Sequence, residues 1–371
     1  MSLEFVHRSP ASKVVLRAGA RHDLGKELAE LGVRRPLVLS GARTSGSPLY
    51  RDAVASLPEF GAFTAIPQHS SVETVAAIVK LARERGADGL VAIGGGSPSD
   101  TAKVAALWLA EGGELEEHAS RFTPPDRIVI PDLRQPKLPI VSIPCTASGA
   151  EVTPSAGVRT ADGRKLIFSD VKLASRVILL DPEANLAVPA TVMLATGMNG
   201  LAHCVEGLYS KTRTPVSTAI ALHGIRLFEE ALPRVAREPD SVEHRAALLA
   251  AAHLGGLVLL NARTCLHHAI CHAIGAVTGA AHGDANSVML PHAVGFNYEA
   301  MSGAQVSDYP LERILRLQKE LSVPHRLRDI GVARETLGTV ARKTMGERGL
   351  YFNPRQVQHA GDIETLLQAA W

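Results

Sequence analysis

Aromatic side chains are scarce in this chain, only 4% of its 371 residues. Surfaces that stack bases need them, so single-stranded nucleic acid is a poor candidate partner. Charge of one sign is lacking as well: 39 basic residues stand against 37 acidic ones, a net +2. That balance gives no electrostatic footprint for nucleic acid or an anionic membrane. No uninterrupted apolar run approaches the roughly 20 residues that span a bilayer. The opening MSLEFVHRSP lacks the basic-then-apolar layout of a signal peptide. Four cysteines, Cys145, Cys204, Cys265 and Cys271, show no CxxC spacing and sit in apolar stretches. They read as buried free thiols of a protein in a reducing cytoplasm. What is abundant is core: 46% hydrophobic against 20% charged residues, in a chain long enough for two domains.

The two halves differ in texture. Short apolar runs rich in β-branched residues recur at Lys13–Leu16, Pro36–Ser40, Gly89–Ile93, Ile140–Ile143 and Val177–Leu180. Helical patterns such as His22–Leu31 and Val72–Arg85 lie between them. This alternation predicts βαβ units, a parallel sheet covered on both faces, and a Rossmann-like dinucleotide-binding domain over about 1–185. Beyond it, Thr191–Tyr209, Thr218–Leu232, Val242–Leu260, Cys265–Ile274, Leu311–Leu321 and Thr336–Arg342 carry a 3.6-residue period. Residues 186–371 are thus expected to form an all-helical catalytic domain. The prolines of DPEANLAVP (Asp181–Pro189) are expected to break regular structure at the junction. Gly112–Leu138, polar and rich in proline, reads as a surface excursion between strands.

Gly89–Leu107 (GLVAIGGGSPSDTAKVAAL) predicts a buried strand, a triple-glycine turn and a helix. Gly94, Gly95 and Gly96 would let the backbone approach a ligand closely, and the free N–H groups of the helix start suit a pyrophosphate. Ser97 or Ser99 is a candidate cap; Asp100 either faces the cofactor or complements the helix dipole. Thr146 and Ser148, in IPCTASGAEVTP, can hydrogen-bond a ribose, phosphate or amide, or form an ordinary turn. After the second strand the chain runs Ser40-Gly41-Ala42-Arg43. The acidic residue that would select NAD through the ribose hydroxyls is missing there, and Arg43 can accept a 2′-phosphate, so both NADH and NADPH are permitted.

The histidines carry the chemistry. Asn199 and His203 are four apart, as are His268 and His272, so each pair shares a helix face. His282 is expected to reach in from a following loop. Three imidazoles plus a carboxylate would make a divalent-metal site, but the carboxylate's place is taken by the neutral amide of Asn199. His292, in LPHAVGFN, has no evident partner and reads as structural.

GGGSPSDTAK, ATGMNGLAHCVEGLYS and LHHAICHAIGAVTGAAHGDANSVMLPHAVGFN resemble the nucleotide loop and paired active-site segments of the iron-containing alcohol dehydrogenase superfamily, over essentially the whole chain. The fold implied is the dehydroquinate synthase-like one. In metal-dependent members the ligands would fall at Asn199, His203, His268 and His282, with Asp at the first position. The asparagine, the LHHxxCH lead-in, the short PCTASGAE loop and the C-terminal NPR…LLQAAW are similar to maleylacetate reductases, which are regarded as working without metal. GGGSPSD is closer to the alcohol dehydrogenases, the Gly112–Leu138 excursion is long, and Gly283 departs from the reductase pattern. The resemblance also implies a homodimer.

The reaction expected is hydride transfer from NADH or NADPH to a small oxo-acid, foremost maleylacetate to 3-oxoadipate in aromatic-compound degradation, with no metal. His272 would donate the proton, since the resemblance leaves it outside the ligand set. Imidazolium groups of His203, His268 and His282 would bind substrate charge. Lys165 is placed near the nicotinamide by resemblance alone. The alternatives are a metal-dependent (iron or zinc) alcohol dehydrogenase or aldehyde reductase and a nucleotide-binding member without catalysis.

Overall fold

The computed structural model describes residues 4–124, 127–301 and 311–371. Met1–Leu3 of the opening segment and Pro125–Asp126 of the excursion lie outside them. Ten strands are present among the described residues: β1 (Lys13–Leu16), β2 (Pro36–Ser40), β3 (Gly61–Phe63), β4 (Gly89–Gly94), β5 (Arg121–Thr123), β6 (Arg127–Val129), β7 (Ile140–Pro144), β8 (Ser155–Arg159), β9 (Lys165–Ser169) and β10 (Val177–Leu180). Six of them form one sheet in the order β1-β10-β7-β4-β2-β3, every pair parallel. β2, β4, β7 and β10 are buried along their whole length, which is why they read as unbroken apolar runs rather than alternating ones. The loops after β2, β4 and β7 leave the same edge of the sheet, where a ligand crevice forms in open α/β folds.

The excursion is more than a surface loop. It holds the antiparallel pair β5–β6, and Glu116, Ser120 and Phe122 line the central cleft. The junction also differs from expectation. Pro182 begins a short helix, Pro182–Leu186, capped by Asp181, whose Oδ1 accepts from the Glu183 and Ala184 amides at 3.0 and 3.4 Å. Proline is tolerated at a helix start because its missing N–H would have no partner there.

After β10 the described residues are helical. Ala190–Tyr209, Pro215–Arg237 and Val242–Ala262 pack around one core that includes Met198, Leu201, Phe228, Leu248 and Val258. Val242–Ala262 is apolar and long enough by composition to cross a bilayer, and here it supplies the centre of that bundle. Leu266–Thr278 and His282–Asn297 follow and pack with Leu337–Thr344 and Ala360–Ala369.

Close backbone contact fixes the two halves against each other. Gly149 sits at φ 65, and a Cβ there would lie 2.6 Å from the Ala252 carbonyl. A Cβ on Gly256 would meet the Gly149 carbonyl at 2.8 Å, so glycine is required on both sides of the contact. The Ala147 amide donates to Thr196 Oγ1 at 3.2 Å, and the buried Arg245 guanidinium donates to the carbonyls of Pro239, Asn185 and Val188. Between the halves lies a cleft of about 1340 Å³.

Candidate active site

One end of the cleft is built by the strand ends. β4 passes through Gly94, at φ 142, straight into the helix Gly96–Glu111. Among the described residues no side chain caps that helix, which leaves its first amides free toward the cleft. Gly95, Gly96, Ser97, Thr146 and Ser148 line this end together with Gly41 and Thr44. A Cβ on Gly95 would come within 3.4 Å of Thr146 Cγ2. Free amides, a helix dipole and no Cβ in the way fit a dinucleotide pyrophosphate.

Three of the residues proposed for the cofactor lie elsewhere. Ser40 is buried and its hydroxyl donates to the Ile93 carbonyl at 3.0 Å, a tie between strands. Gly94 shapes the turn without lining the cleft, and Arg43 is exposed on the short helix Ala42–Ser45, off the lining. Asp100 does line it, but accepts the Gly157 amide at 3.2 Å and thereby anchors the β8–β9 hairpin over the helix.

That hairpin carries Lys165 across Gly157, where a Cβ would meet Lys165 Cε at 2.5 Å. Lys165 is open to solvent through the cleft, yet the protein around it lowers its proton affinity, against the pull of Asp100 and Glu347.

The other end of the cleft holds the histidines, on three helices. Asn199 and His203 project from Ala190–Tyr209; His268 and His272 project from Leu266–Thr278. His282, expected on a loop, is instead the first residue of His282–Asn297. Gly283 beside it lets that helix start against Ala195, whose Cβ would lie 2.8 Å from any Cβ at 283. The rings of His203 and His268 stack with centroids 4.7 Å apart, and those of His272 and His282 at 5.5 Å. His292 lies further along, outside the cleft lining.

His268 is held at both nitrogens. Its Nδ1 lies 2.6 Å from Glu206 Oε2, and its Nε2 lies 3.1 Å from Asn199 Oδ1. Asn199 Oδ1 can only accept, so Nε2 carries the one hydrogen of the neutral ring. Burial raises the proton affinity of Glu206 and lowers that of His268, so the proton of the short contact belongs to the carboxyl, which donates it to Nδ1. Glu206 Oε1 also accepts the His267 amide at 2.9 Å, and His267 Nε2 donates to the Asn286 carbonyl at 3.0 Å. Glu206 was missed in the sequence, although it stands three residues after His203 on the same helix face.

This arrangement tests the metal site that the superfamily implies. A divalent cation needs lone pairs, and Nε2 of His268 has given its direction to a hydrogen bond. Among the described residues, the one group of His, Cys, Asp and Glu with ligand atoms within 4.8 Å of each other is Glu206, His267 and His268, atoms already joined by hydrogen bonds. His203 and His282 are not drawn into it, and Asn199 brings no charge. As placed, these residues do not fit an iron or zinc centre.

The charge on the rings differs from expectation. Burial, together with mutual repulsion, holds His203, His268 and His282 well below the usual histidine range, so they are neutral rings rather than imidazolium groups. His272 is lowered less decisively: burial and Lys165 push it down, while Glu347 Oε2, 3.3 Å from Nδ1, pulls it up. Besides the exposed Arg121, Arg164 and Lys343, positive charge in the cleft resides on Lys165, Arg159, Arg263 and Arg348. The last two, and Glu347, had no motif to reveal them.

Comparison with known proteins gives the family. Residues 11–182 match the family model described as iron-containing alcohol dehydrogenase, and residues 193–371 match the C-terminal model of the same family. The chain belongs to the iron-containing alcohol dehydrogenase family. It is an NAD(P)-dependent oxidoreductase, a reductase or alcohol dehydrogenase. It is similar to a maleylacetate reductase of Pseudomonas sp. (strain P51), 31% identical over all of this chain and 98% of that one. An NAD-dependent methanol dehydrogenase of Bacillus methanolicus is 29% identical over 97% of this chain and 98% of its own length. Among solved structures, the maleylacetate reductase of Rhizobium sp. strain MTP-10005 matches with a TM-score of 0.83 and 29% identity, covering 100% of this chain and 99% of that one. A putative alcohol dehydrogenase from Ralstonia eutropha JMP134 gives 0.85 and 30%, covering 100% and 98%.

Proposed function

We propose that this enzyme reduces a small oxo-acid at the expense of NADH or NADPH without a metal ion, and that maleylacetate, yielding 3-oxoadipate, is the foremost candidate. The observation that carries this reading is the clamp on His268: Glu206 at one nitrogen, Asn199 at the other, where a metal-dependent relative would need a lone pair and a carboxylate. The bound reduced nicotinamide supplies a hydride. The uncapped start of Gly96–Glu111 suits its pyrophosphate, which would direct the nicotinamide end toward Lys165 and the histidines.

A hydride delivered to the carbon–carbon double bond conjugated to a ketone leaves an enolate, and one proton must then reach the neighbouring carbon. His272 is the proton donor in this reading. Glu347 holds its Nδ1 and stabilises the protonated ring, so that Nε2 can give up its proton to the substrate. Lys165 offers a positive charge to the developing oxyanion. His203, His268 and His282, neutral and stacked, form a wall that excludes water and orients substrate rather than binding its charge. Arg43, exposed beside the nucleotide end, leaves either coenzyme acceptable. Residues 1–185 would hold the coenzyme and 186–371 the catalytic histidines. A homodimer acting in the cytoplasm on a small carboxylate, with no nucleic acid or membrane partner, completes the proposal.

The test is NADH and NADPH oxidation by chelator-treated enzyme, with maleylacetate beside butanal, and reduction of the oxidised coenzymes by secondary alcohols. Turnover of maleylacetate by enzyme free of iron and zinc is the expected result. Activity that disappears on chelation and returns with iron or zinc would instead make this a metal-dependent alcohol dehydrogenase.

A further inference from the structure

Among the described residues, three partly buried arginines that line the cleft, Arg159, Arg263 and Arg348, have no side-chain partner, and the last two are the pair whose charges act on each other. Elsewhere the chain satisfies its enclosed arginines: Arg21 meets Asp181, Asp52 and Glu183, and Arg245 donates to three carbonyls. Arg263 is also held at φ 66 at the end of Val242–Ala262, a left-handed conformation that a residue with a Cβ adopts at a cost. Strain of this kind concentrates where a side chain must be aimed.

The two charges feel one another. Burial and the charge of Arg263 push Arg348 down to about 10, and burial together with Arg8 lowers Arg263. Placing two mutually repelling cations in a partly dehydrated space is unfavourable unless an anion enters between them. The planar fork of a guanidinium matches a carboxylate in two parallel hydrogen bonds. Arg348 directly follows Glu347, which holds His272, so this cationic corner adjoins the proton donor.

We infer that Arg263 and Arg348 form the subsite for a substrate carboxylate remote from the reacting carbon, and that they make the enzyme selective for acids over uncharged carbonyl compounds. This rests on the oxo-acid reading above and narrows it to substrates with an anionic end that reaches this corner.

The experiment is calorimetric titration of succinate and of its dimethyl ester into the full-length enzyme saturated with oxidised coenzyme, for wild type, Arg263→Gln, Arg348→Gln and the two lysine variants. Expected is binding of succinate at least tenfold tighter than the diester, a loss of at least tenfold in each glutamine variant, and partial retention in the lysine variants. Coenzyme affinity, read by NADH fluorescence, should be unchanged and reports folding. If wild type binds succinate and the folded glutamine variants bind it equally well, the subsite is wrong while the oxo-acid reading stands. If wild type binds neither compound and reduces only uncharged aldehydes, the oxo-acid reading itself fails. Tighter binding of phosphonoacetate than of succinate would overturn the carboxylate assignment in favour of a tetrahedral anion.

Discussion

Replacing Asn199 by aspartate tests the electrostatics of the histidine clamp directly. Asn199 is buried, and its Oδ1 sits 3.1 Å from His268 Nε2. In the parent, the protonated Glu206 carboxyl and the neutral His268 ring need no further charge. A second carboxylate would face that ring from the opposite side, leaving one excess negative charge in a dehydrated pocket. Uncompensated buried charges cost about 3–5 kcal/mol, and uptake of a proton caps the cost at about 4 kcal/mol at neutral pH, since an ordinary aspartate lies about three pH units below. A loss of that size lowers the melting temperature by about 5 °C if the whole chain unfolds as one unit, and by about twice that if the helical half melts alone. A divalent cation should reverse the effect, because it can take the Nε2 lone pair once the ring loses its hydrogen to solvent. Zinc at about 100 times its dissociation constant restores roughly 2.7 kcal/mol. The assay is thermal unfolding of Asn199→Asp and parent in chelator and in zinc, with metal content measured on the same samples. A variant as stable as the parent in chelator, or one that zinc fails to stabilise, would refute the clamp as described.

Three further outcomes are expected. His272→Ala should lower kcat by about 10² to 10⁴-fold, the range for a lost general acid, with NADH binding intact; retention of most of the turnover would remove His272 from the mechanism. Gly95→Ala should fold normally, since its Cβ meets only the Thr146 side chain, 3.4 Å from Cγ2 and 3.6 Å from Oγ1, and yet weaken NADH binding at least tenfold by filling the pyrophosphate cradle. Gly94→Ala, at φ 142, should instead cost about 1–3 kcal/mol of stability, and equal stability losses in the two variants would contradict this division. Glu151 is buried and its carboxyl is pushed up to about 7 by that burial, against an ordinary value of 4.5. Its folded pKa exceeds the unfolded one, so the cost of ionising it is absent below pH 4.5, grows between 4.5 and 7, and reaches about 3 kcal/mol above. Glu151→Gln should therefore gain on wild type in urea unfolding as pH rises from 5 to 8; parallel stability curves would show that Glu151 is not desolvated.

The parts of the fold that could be read from the sequence are those where one physical pattern dominates. β2, β4, β7 and β10 are covered on both faces and show as apolar runs, and Val72–Arg85 shows its helical period and its terminal Gly86. β3 was missed because GAF is three residues at the sheet edge with no buried run to announce it. The β5–β6 pair was hidden in a polar stretch, since neither strand is buried on a face. His282, expected on a loop, instead opens His282–Asn297, a helix whose Gly283 and Pro291 are signals of irregular backbone that tertiary packing overrides.

The same reasoning separates the legible from the illegible part of the site. Asn199, His203, His268 and His272 declare themselves because helical spacing puts each pair on one face, a property local in sequence. Their charge state does not, because it depends on what surrounds them: His203, His268 and His282, packed among the other rings with Glu206 already engaged, lose their protons to desolvation, while Glu347 works against that loss at His272. Once those rings are neutral, the charge that an anionic substrate requires must come from elsewhere in the cleft. Lys165, Arg263 and Arg348 come from a hairpin, a helix end and a C-terminal turn that only the packing of the two halves brings together. Isolated cations carry no periodicity, so no pattern marks them. On the proposed reading, the neutral histidines that shape the cavity show in the sequence, while the distant cations that read the substrate are hidden in the fold.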